Sequence, residues 1–155
     1  MIANTPSITV IGFGEAGASL CIGWKRDGVR SFDIKQTQPQ TQAAILTAMH
    51  KLNVESAADA ASAVIDADLI FSTVTADQAF DAASSVAPGL KPGAFFFDLN
   101  SCAPTTKQKS AAVIEAAGGR YVDIAVMATI TPHYHRTPML ICGDHCDAAM
   151  TALQT

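Results

Sequence analysis

The stretch Ser7-Ile-Thr-Val-Ile-Gly-Phe-Gly-Glu-Ala-Gly17 decides the fold of this chain. Its first five residues form a β-branched run that is typical of a short buried strand. The residues from Ala16 to Lys25 predict a helix with one apolar face. The glycine motif between the two has the spacing G-x-G-x-x-G, and in this strand–turn–helix context that spacing is typical of dinucleotide binding.

Each glycine of the motif has a separate physical role. Gly12 permits the tight turn, Gly14 lets the backbone approach a pyrophosphate, and Gly17 lets the helix pack closely on the sheet. The phosphates would accept hydrogen bonds from free N–H groups at the helix N-terminus. The alternative is a glycine-rich turn without a ligand. The residues predicted to contact the cofactor here are Gly12, Phe13, Gly14, Glu15, Ala16 and Gly17.

Asp33 is predicted to set the choice of cofactor. It ends a second short strand, Ser31-Phe-Asp-Ile34, at the distance from the glycine motif where a carboxylate accepts hydrogen bonds from the adenosine ribose. Its charge would repel the additional phosphate of NADP, and Lys35 would soften that repulsion. We therefore expect NAD to be preferred over NADP. The alternative is that Asp33 is a solvated turn residue.

The rest of the chain alternates short strand patterns with helical patterns, which predicts an α/β fold. We expect a Rossmann-type, doubly wound, mainly parallel sheet with helices on both faces. Ser56-x-x-Asp59 resembles a capping box, and Asp144 is predicted to cap the last helix. Further strands are predicted at 69–74, 94–98, 121–127 and 138–142, and further helices at 41–52, 56–65, 76–87, 104–117 and 145–155.

Length and composition restrict the function classes. The 155 residues suit a single domain, 1–155, and 49% hydrophobic with 15% charged residues excludes intrinsic disorder. A net charge of −4 argues against a nucleic-acid partner. No apolar run is long enough to span a membrane, and the first six residues lack a signal pattern, so a cytoplasmic location is expected. The four cysteines match no zinc motif and are expected to be reduced, with no metal.

Two further strand ends carry candidate site residues, since ligands of such sheets bind beyond the carboxyl ends of the strands. Thr73, Val74 and Thr75 are predicted to contact the cofactor, and Thr75 equally fits the N-cap of the next helix. Asn100 is predicted to contact cofactor and substrate, and Ser101 and Cys102 the substrate. The alternative is that Ser101 caps a helix and Asn100 closes a turn.

Taken in order, the glycine motif, Asp33, the stretch Asp98-Leu-Asn-Ser-Cys-Ala-Pro104 and the stretch Val122-Asp-Ile-Ala-Val126 resemble the amino-terminal half of the β-hydroxyacid dehydrogenases. This family includes 3-hydroxyisobutyrate, threonate and 6-phosphogluconate dehydrogenases. The resemblance implies an NAD(P)-binding domain of an oxidoreductase that acts on a small β-hydroxyacid, with Ser101 and Asn100 at the substrate.

The sequence departs from the family pattern in two places. The stretch Asp123-Ile-Ala-Val-Met-Ala-Thr129 lacks the family's Ser-Gly-Gly, and a polar loop ending in His133-Tyr-His-Arg136 follows it. That loop is predicted either to hold an acidic substrate through Arg136 or to be an exposed cover of the sheet edge. The family's catalytic lysine belongs to an all-α carboxyl-terminal domain, which we expect to be absent here, so no catalytic residue is assigned.

The leading hypothesis is therefore the cofactor domain of a dehydrogenase, inactive by itself. The alternatives are a stand-alone nucleotide-binding module without catalysis and a structural domain that binds nothing. The high apolar content predicts an exposed apolar surface near the carboxyl ends of the strands and the final helix, and with it a homo-oligomer.

Overall fold

A computed structural model describes residues 5–154 of the chain. The outermost residues of the predicted domain, 1–4 and 155, lie outside this range. The strands within it are β1 (Ile8–Ile11), β2 (Arg30–Phe32), β3 (Glu55–Ser56), β4 (Leu69–Ser72), β5 (Phe95–Asp98), β6 (Arg120–Val126) and β7 (Met139–Cys142). The α-helices are α1 (Glu15–Trp24), α2 (Gln42–Lys51), α3 (Ala60–Val64), α4 (Ala79–Val86), α5 (Pro104–Ala116), α6 (Ile130–His133) and α7 (Cys146–Ala152).

The seven strands of the described range form one sheet in the order β3-β2-β1-β4-β5-β6-β7. The pairings from β3 to β6 are parallel, and β7 runs antiparallel to β6. The chain first builds outward from β1 to β2 and β3, then returns to place β4 on the other side of β1. This reversal is the topological switch point of a doubly wound sheet, so the predicted fold class is confirmed.

Two separate cores cover the two faces of the sheet. On one face, α1, α2 and α7 pack on a core that includes Val10, Phe71 and Phe97. On the other face, α3, α4 and α5 pack on Ile70 and Phe96. Because successive side chains of a strand point to opposite faces, the consecutive apolar residues of β4 and β5 supply both cores. This explains why these strands are uninterrupted apolar runs.

The predicted capping box at Ser56 is wrong. Ser56 belongs to β3 and pairs with Ser31 of β2, so it is extended rather than at a helix start. The capping box lies three residues further on. Asp59 accepts a hydrogen bond from the N–H of Ser62 at 2.7 Å, and the Ser62 hydroxyl interacts with the N–H of Asp59 at 3.1 Å. The shift makes room for a strand that the sequence pattern did not indicate.

The predicted N-cap of the last helix is wrong. His145, and not Asp144, is the N-cap of α7, and its Nε2 lies 2.9 Å from Oε1 of Glu115 on α5. This contact joins the start of α7 to α5, which packs on the other face of the sheet, and His145 makes no side-chain capping hydrogen bond. None of the helices within residues 5–154 is long and apolar enough to cross a membrane.

Candidate functional site

A cleft of about 730 Å³ lies at the topological switch point. Its floor is formed by the carboxyl ends of β1, β2 and β4, where the chain leaves the sheet on both sides of β1. This is where open α/β sheets bind their ligands, and the volume is in the range of cofactor sites. Of the residues predicted to bind the cofactor, the cleft brings together Gly12, Gly14, Glu15, Ala16, Asp33, Thr73, Val74 and Thr75.

Gly12 begins the turn between β1 and α1. It has φ +90°, a backbone conformation that side chains with a Cβ rarely adopt, and its N–H donates to the carbonyl of Phe32 at 2.9 Å. The hydroxyl of Thr73 donates to the Gly12 carbonyl at 2.7 Å. The glycine turn is therefore held from both neighbouring strands, and its shape is fixed before any ligand binds.

Gly14 and Gly17 have opposite surroundings. A Cβ added at Gly14 would meet no protein atom within 4 Å in the described structure, because the residue faces the open cleft. A Cβ added at Gly17 would lie 2.3 Å from the carbonyl oxygen of Gly12. Gly14 therefore leaves this part of the cleft open, whereas Gly17 permits the close packing of α1 on the β1 turn.

Asp33 is buried, so the alternative that it is a solvated turn residue is wrong. Its Oδ2 accepts a hydrogen bond from the N–H of Phe13 at 2.6 Å, and its Oδ1 accepts one from the N–H of Lys35 at 2.8 Å. The carboxylate thus connects the glycine turn to the 3-10 turn Ile34–Thr37 that follows β2. Each carboxylate oxygen has a second lone pair, so Asp33 retains the capacity to accept bonds from a ligand in the cleft.

The three residues that follow β4 contribute to the cleft in different ways. Thr73 uses its hydroxyl on the glycine turn, as described above, and Val74 contributes an apolar wall. Thr75 is the N-cap of a 3-10 turn, Ala76–Gln78, but it makes no side-chain capping bond. Both roles considered for Thr75 are therefore compatible with its position at the cleft.

Sequence reasoning missed the wall of the cleft that faces the glycine turn. This wall comes from the start of α3 and from α4 and is lined mainly by small side chains, with two acidic residues. Its described members are Asp59, Ala60, Ala61, Gln78, Asp81, Ala82 and Ser85. The alanine-rich composition of both helices was the one available signal, because small residues leave space where a helix borders a ligand.

Several predicted site residues lie outside this cleft. The Phe13 side chain is buried in the core under α1, so its contribution at the site is the N–H that Asp33 accepts. Asn100, Ser101 and Cys102 follow β5, one strand beyond the cleft floor. Ser101 is exposed, and Ala103 is the N-cap of α5, so the alternative of a Ser101 cap is wrong.

A buried polar network surrounds Asp98 at the end of β5. Its Oδ1 accepts the N–H of Asn100 at 3.0 Å and the side-chain Nδ2 of Asn100 at 2.7 Å, and its Oδ2 accepts the Tyr121 hydroxyl at 2.6 Å. Lys107 Nζ lies 3.4 Å from Oδ1 of Asp98 and 2.6 Å from Oδ1 of Asp123. Neither Lys107 nor Tyr121 was identified from the sequence, because both meet Asp98 only in the folded chain.

The network affects two titratable groups. Burial, and then the hydrogen bond to Asp98 and the charge of Asp98, raise the pKa of the Tyr121 hydroxyl far above its usual range, so the hydroxyl remains a donor. Partial burial, followed by the Asp98 charge, raises the pKa of the Cys102 thiol. The Cys102 thiol is therefore less readily deprotonated than that of an exposed cysteine.

The polar loop after β6 packs along α1. The Ser19 hydroxyl lies 3.3 Å from that of Thr131, and a Cβ at Gly23 would come within 2.4 Å of Nδ1 of His135. His133, His135 and Arg136 are exposed. These side-chain contacts hold the loop on the helix, with the His135 ring against Gly23, while the side chains of His133 and Arg136 face solvent.

Comparison with known protein families gives a match over most of the chain. A family model described as the NAD binding domain of 6-phosphogluconate dehydrogenase matches residues 7–149. No curated protein matches the chain. Among solved structures, a conserved hypothetical protein from Sinorhizobium meliloti 1021 is 31% identical with a TM-score of 0.89, over 98% of this chain and 52% of that one.

Two more distant structures share the fold. Mycobacterium tuberculosis 3-hydroxyisobutyrate dehydrogenase, solved with L-serine, is 19% identical with a TM-score of 0.79, over 97% of this chain and 52% of that one. An imine reductase variant from Myxococcus stipitatus, in complex with NAD+, is 22% identical with a TM-score of 0.78, over 96% and 51%. The chain thus spans about half the length of the solved structures it matches.

Proposed function

The chain belongs to the family of NAD-binding domains of 6-phosphogluconate dehydrogenase, a family of oxidoreductases, and we propose that its cleft binds NAD beside a small β-hydroxyacid. The observation that carries this proposal is the open space in front of Gly14, at the start of α1 and on the cleft. The first N–H groups of a helix have no partner within it, so they are available for phosphate oxygens there.

The residues present fit a dinucleotide over the whole cleft. The turn Gly12–Gly17 would hold the pyrophosphate, Asp33 the adenosine ribose, and the alanine-lined wall of α3 and α4 the flat face of the adenine ring. When bound, the nicotinamide accepts or donates hydride. The protein supplies a preformed turn and a carboxylate already held by two N–H groups, so little must be ordered upon binding.

Asp33 is the residue we propose to favour NAD over NADP. With Asp33→Ala we expect NAD to bind about tenfold more weakly, since a charge-assisted hydrogen bond to the ribose is lost. NADP should change less, because the same substitution also removes a repulsion. Equilibrium titration of both cofactors measures the ratio of the two dissociation constants.

The control is Asp144→Asn, which removes a negative charge from an exposed residue outside the cleft lining. It should leave the ratio unchanged. Asp33→Ala also deprives the Phe13 N–H of its acceptor, so the titrations must be made below the melting transition of the variant. Equal losses for NAD and NADP would contradict the proposed role of Asp33.

We assign the substrate to the stretch that follows β5. Asn100 and Ser101 lie at the carboxyl edge of the sheet, next to the β4 end that lines the cleft. Resemblance to the family supports a substrate of the 3-hydroxyisobutyrate, threonate or 6-phosphogluconate type. The resemblance to the family implies a proton-transfer lysine on an all-α domain, and we propose that the 155 residues by themselves bind cofactor with little turnover.

Titration of NADH into the chain, followed by nicotinamide fluorescence, tests the function directly. Saturable binding is expected, and its absence at millimolar NADH would refute both the dehydrogenase domain and the alternative of a stand-alone nucleotide-binding module. The dehydrogenase domain and the stand-alone module are then distinguished by assays with small hydroxyacids, made on the protein expressed together with any adjoining coding sequence. Turnover that appears with a lysine-bearing helical segment supports the dehydrogenase.

We also propose that the chain forms a homo-oligomer through the β7 end of the sheet. β7 is an edge strand in the described structure, and Leu140 on it is 61% exposed, with Met127 at the end of β6 58% exposed. Sedimentation should show concentration-dependent association, and Leu140→Lys should weaken it, because a charge on an edge strand opposes pairing. Glu55→Lys on the opposite edge strand is the control. A monomer at all concentrations would contradict the proposal.

A further inference from the structure

The backbone hydrogen bonds between β2 and β3 stop one step short of the cleft. The N–H of Ala57 donates to the carbonyl of Ser31 at 2.9 Å. Because such bonds recur at even spacing in a parallel pair, the next one would run from the N–H of Asp33 to the carbonyl of Ala57. Within residues 5–154 that bond is not formed, and both groups bind the side chain of Gln36 instead.

The amide of Gln36 takes the place of this backbone bond. Its Oε1 accepts the N–H of Asp33 at 3.3 Å, and its Nε2 donates to the carbonyl of Ala57 at 2.5 Å. The direction of the amide follows from its partners, because a backbone N–H only donates and a carbonyl only accepts. Gln36 is the buried residue of the 3-10 turn Ile34–Thr37, whose other three residues are exposed. Its amide is thus inserted between the ends of two strands.

The two strand ends joined by Gln36 lead into different parts of the cleft lining. After β2 the lining includes Asp33 and Ile34, and after β3 it includes Asp59 and Ala60. Two hydrogen bonds in series through an amide hold the strand ends farther apart than one direct bond of about 2.9 Å would. We propose that Gln36 is a positioning residue whose side chain separates the ends of β2 and β3 and so holds open the adenosine end of the cleft. This inference rests on the proposed binding of a dinucleotide.

The start of α2 holds the same turn from its other side. The Thr41 hydroxyl donates to the carbonyl of Lys35 at 2.6 Å, and Nε2 of Gln42 donates to the carbonyl of Gln36 at 2.9 Å. The backbone of the turn therefore has supports that do not involve the Gln36 amide. In contrast, β3 is an edge strand of two residues in the described sheet. Loss of the amide should let the end of β3 approach β2 and leave the turn in place.

Gln36→Ala is expected to lower cofactor affinity and to leave stability nearly unchanged. Without the amide, the Asp33 N–H and the Ala57 carbonyl can bond to each other, so neither group stays unsatisfied. The melting temperature should remain within about 3 °C of the wild-type value, whereas ADP-ribose should bind about tenfold more weakly. Thermal melts and calorimetry with ADP-ribose measure the two effects. A purely structural role would give the reverse, a loss of stability at unchanged affinity.

Gln40→Ala is the matched control, because Gln40 is an exposed glutamine outside the cleft lining. It should change neither the melting temperature nor the affinity for ADP-ribose. Unchanged affinity in Gln36→Ala, or an equal loss in Gln40→Ala, would overturn the proposal.

Gln36→Glu tests the same bridge with a side chain of full length. The protonated acid keeps both functions of the amide, since its carbonyl oxygen can accept from the Asp33 N–H and its O–H can donate to the Ala57 carbonyl. The ionised form can only accept. Burial and the negative charge of Asp33 oppose ionisation and should raise the pKa of the new carboxyl above its usual range, whereas the charges of Lys35 and Asp59 are exposed to solvent.

The affinity of Gln36→Glu for ADP-ribose should therefore depend on pH. Below the raised pKa the variant should bind like the wild-type chain, and above it the affinity should fall. The ratio of the two dissociation constants, measured between about pH 5 and 8, removes the titration of the ligand and of groups common to both chains. Gln36→Met has a similar length without a titratable group, and its ratio should not vary with pH. A constant ratio in Gln36→Glu would overturn the proposal.

A measurement without ligand distinguishes this proposal from the proposed function. NMR detects scalar coupling across a backbone hydrogen bond, so coupling between the nitrogen of Asp33 and the carbonyl carbon of Ala57 should be absent in the wild-type chain and present in Gln36→Ala. Coupling in both chains, or in neither, would overturn the separating role of Gln36 even if NADH binds. The expected couplings without any binding of NADH or ADP-ribose would refute the proposed function, and with it the adenosine at this end of the cleft.

Discussion

Gly14→Val is expected to abolish NADH binding and leave the fold intact. The valine side chain would project into the cleft, since a Cβ at position 14 meets no protein atom within 4 Å in the described structure. It would occupy the place where the pyrophosphate must approach the first N–H groups of α1. The loss of two hydrogen bonds to charged phosphate oxygens corresponds to about 3 kcal/mol, or about 100-fold in affinity.

The stability of the same variant should change little. Gly14 has φ −78°, which valine adopts without strain, and the residue is the N-cap of α1, where valine is less favourable than glycine by about 1 kcal/mol. NADH titration and a thermal melt measure the two effects separately. Gly14→Ala adds one methyl group to the same space and should give an intermediate loss. Unchanged affinity in Gly14→Val would refute the placement of the phosphates at this turn.

Gly17→Ala is expected to destabilise the fold strongly, against the direction of helix propensity. Inside a helix, alanine is normally more favourable than glycine by about 1 kcal/mol. Here the added Cβ would lie 2.3 Å from the carbonyl oxygen of Gly12 and 2.9 Å from Oγ1 of Thr73. Because these two atoms are hydrogen-bonded to each other at 2.7 Å, neither can move away from the new Cβ without breaking the hydrogen bond that holds the glycine turn.

The expected cost is about 3 kcal/mol, the upper range for overpacking a rigid site. For a chain of this length that corresponds to a fall in melting temperature of about 6–12 °C. Urea unfolding gives the free energy of unfolding, and Gly14→Val provides the comparison at a neighbouring glycine. A stability equal to or above that of the wild-type chain would mean that α1 does not lie against the turn as the structure has it.

The glycine motif and the alternation of strands with helices were sufficient to predict the fold class. Local chemistry explains this success, since a β-branched run, a turn that needs a positive φ at Gly12 and an apolar helix face each act over a few neighbouring residues. The failure at Ser56 has the opposite origin, because a partner distant in sequence, Ser31, keeps Ser56 extended in a strand. At Asp144 the local capping pattern was displaced by one residue, since the helix begins at Cys146 with His145 as its N-cap.

The residues of the candidate site also fall into those that local sequence predicts and those that only tertiary contacts determine. The residues of the glycine motif were predictable because their roles depend on backbone conformation within one turn. The alanine wall on α3 and α4 and the interaction of Asp98 with Tyr121 and Lys107 were not, because these groups meet only when separate strands and helices pack together. Contacts between residues so far apart in the sequence leave no local spacing from which they could be predicted.

For this protein, the sequence by itself determined a doubly wound α/β fold with a dinucleotide motif at its start. It placed polar residues after β5 without determining how they are oriented. Only the tertiary structure decided that the Asn100 amide turns its nitrogen toward Asp98, because the direction of an amide is set by the charges around it. Those charges come from Asp98, whose buried carboxylate orders donors contributed by β6 and α5.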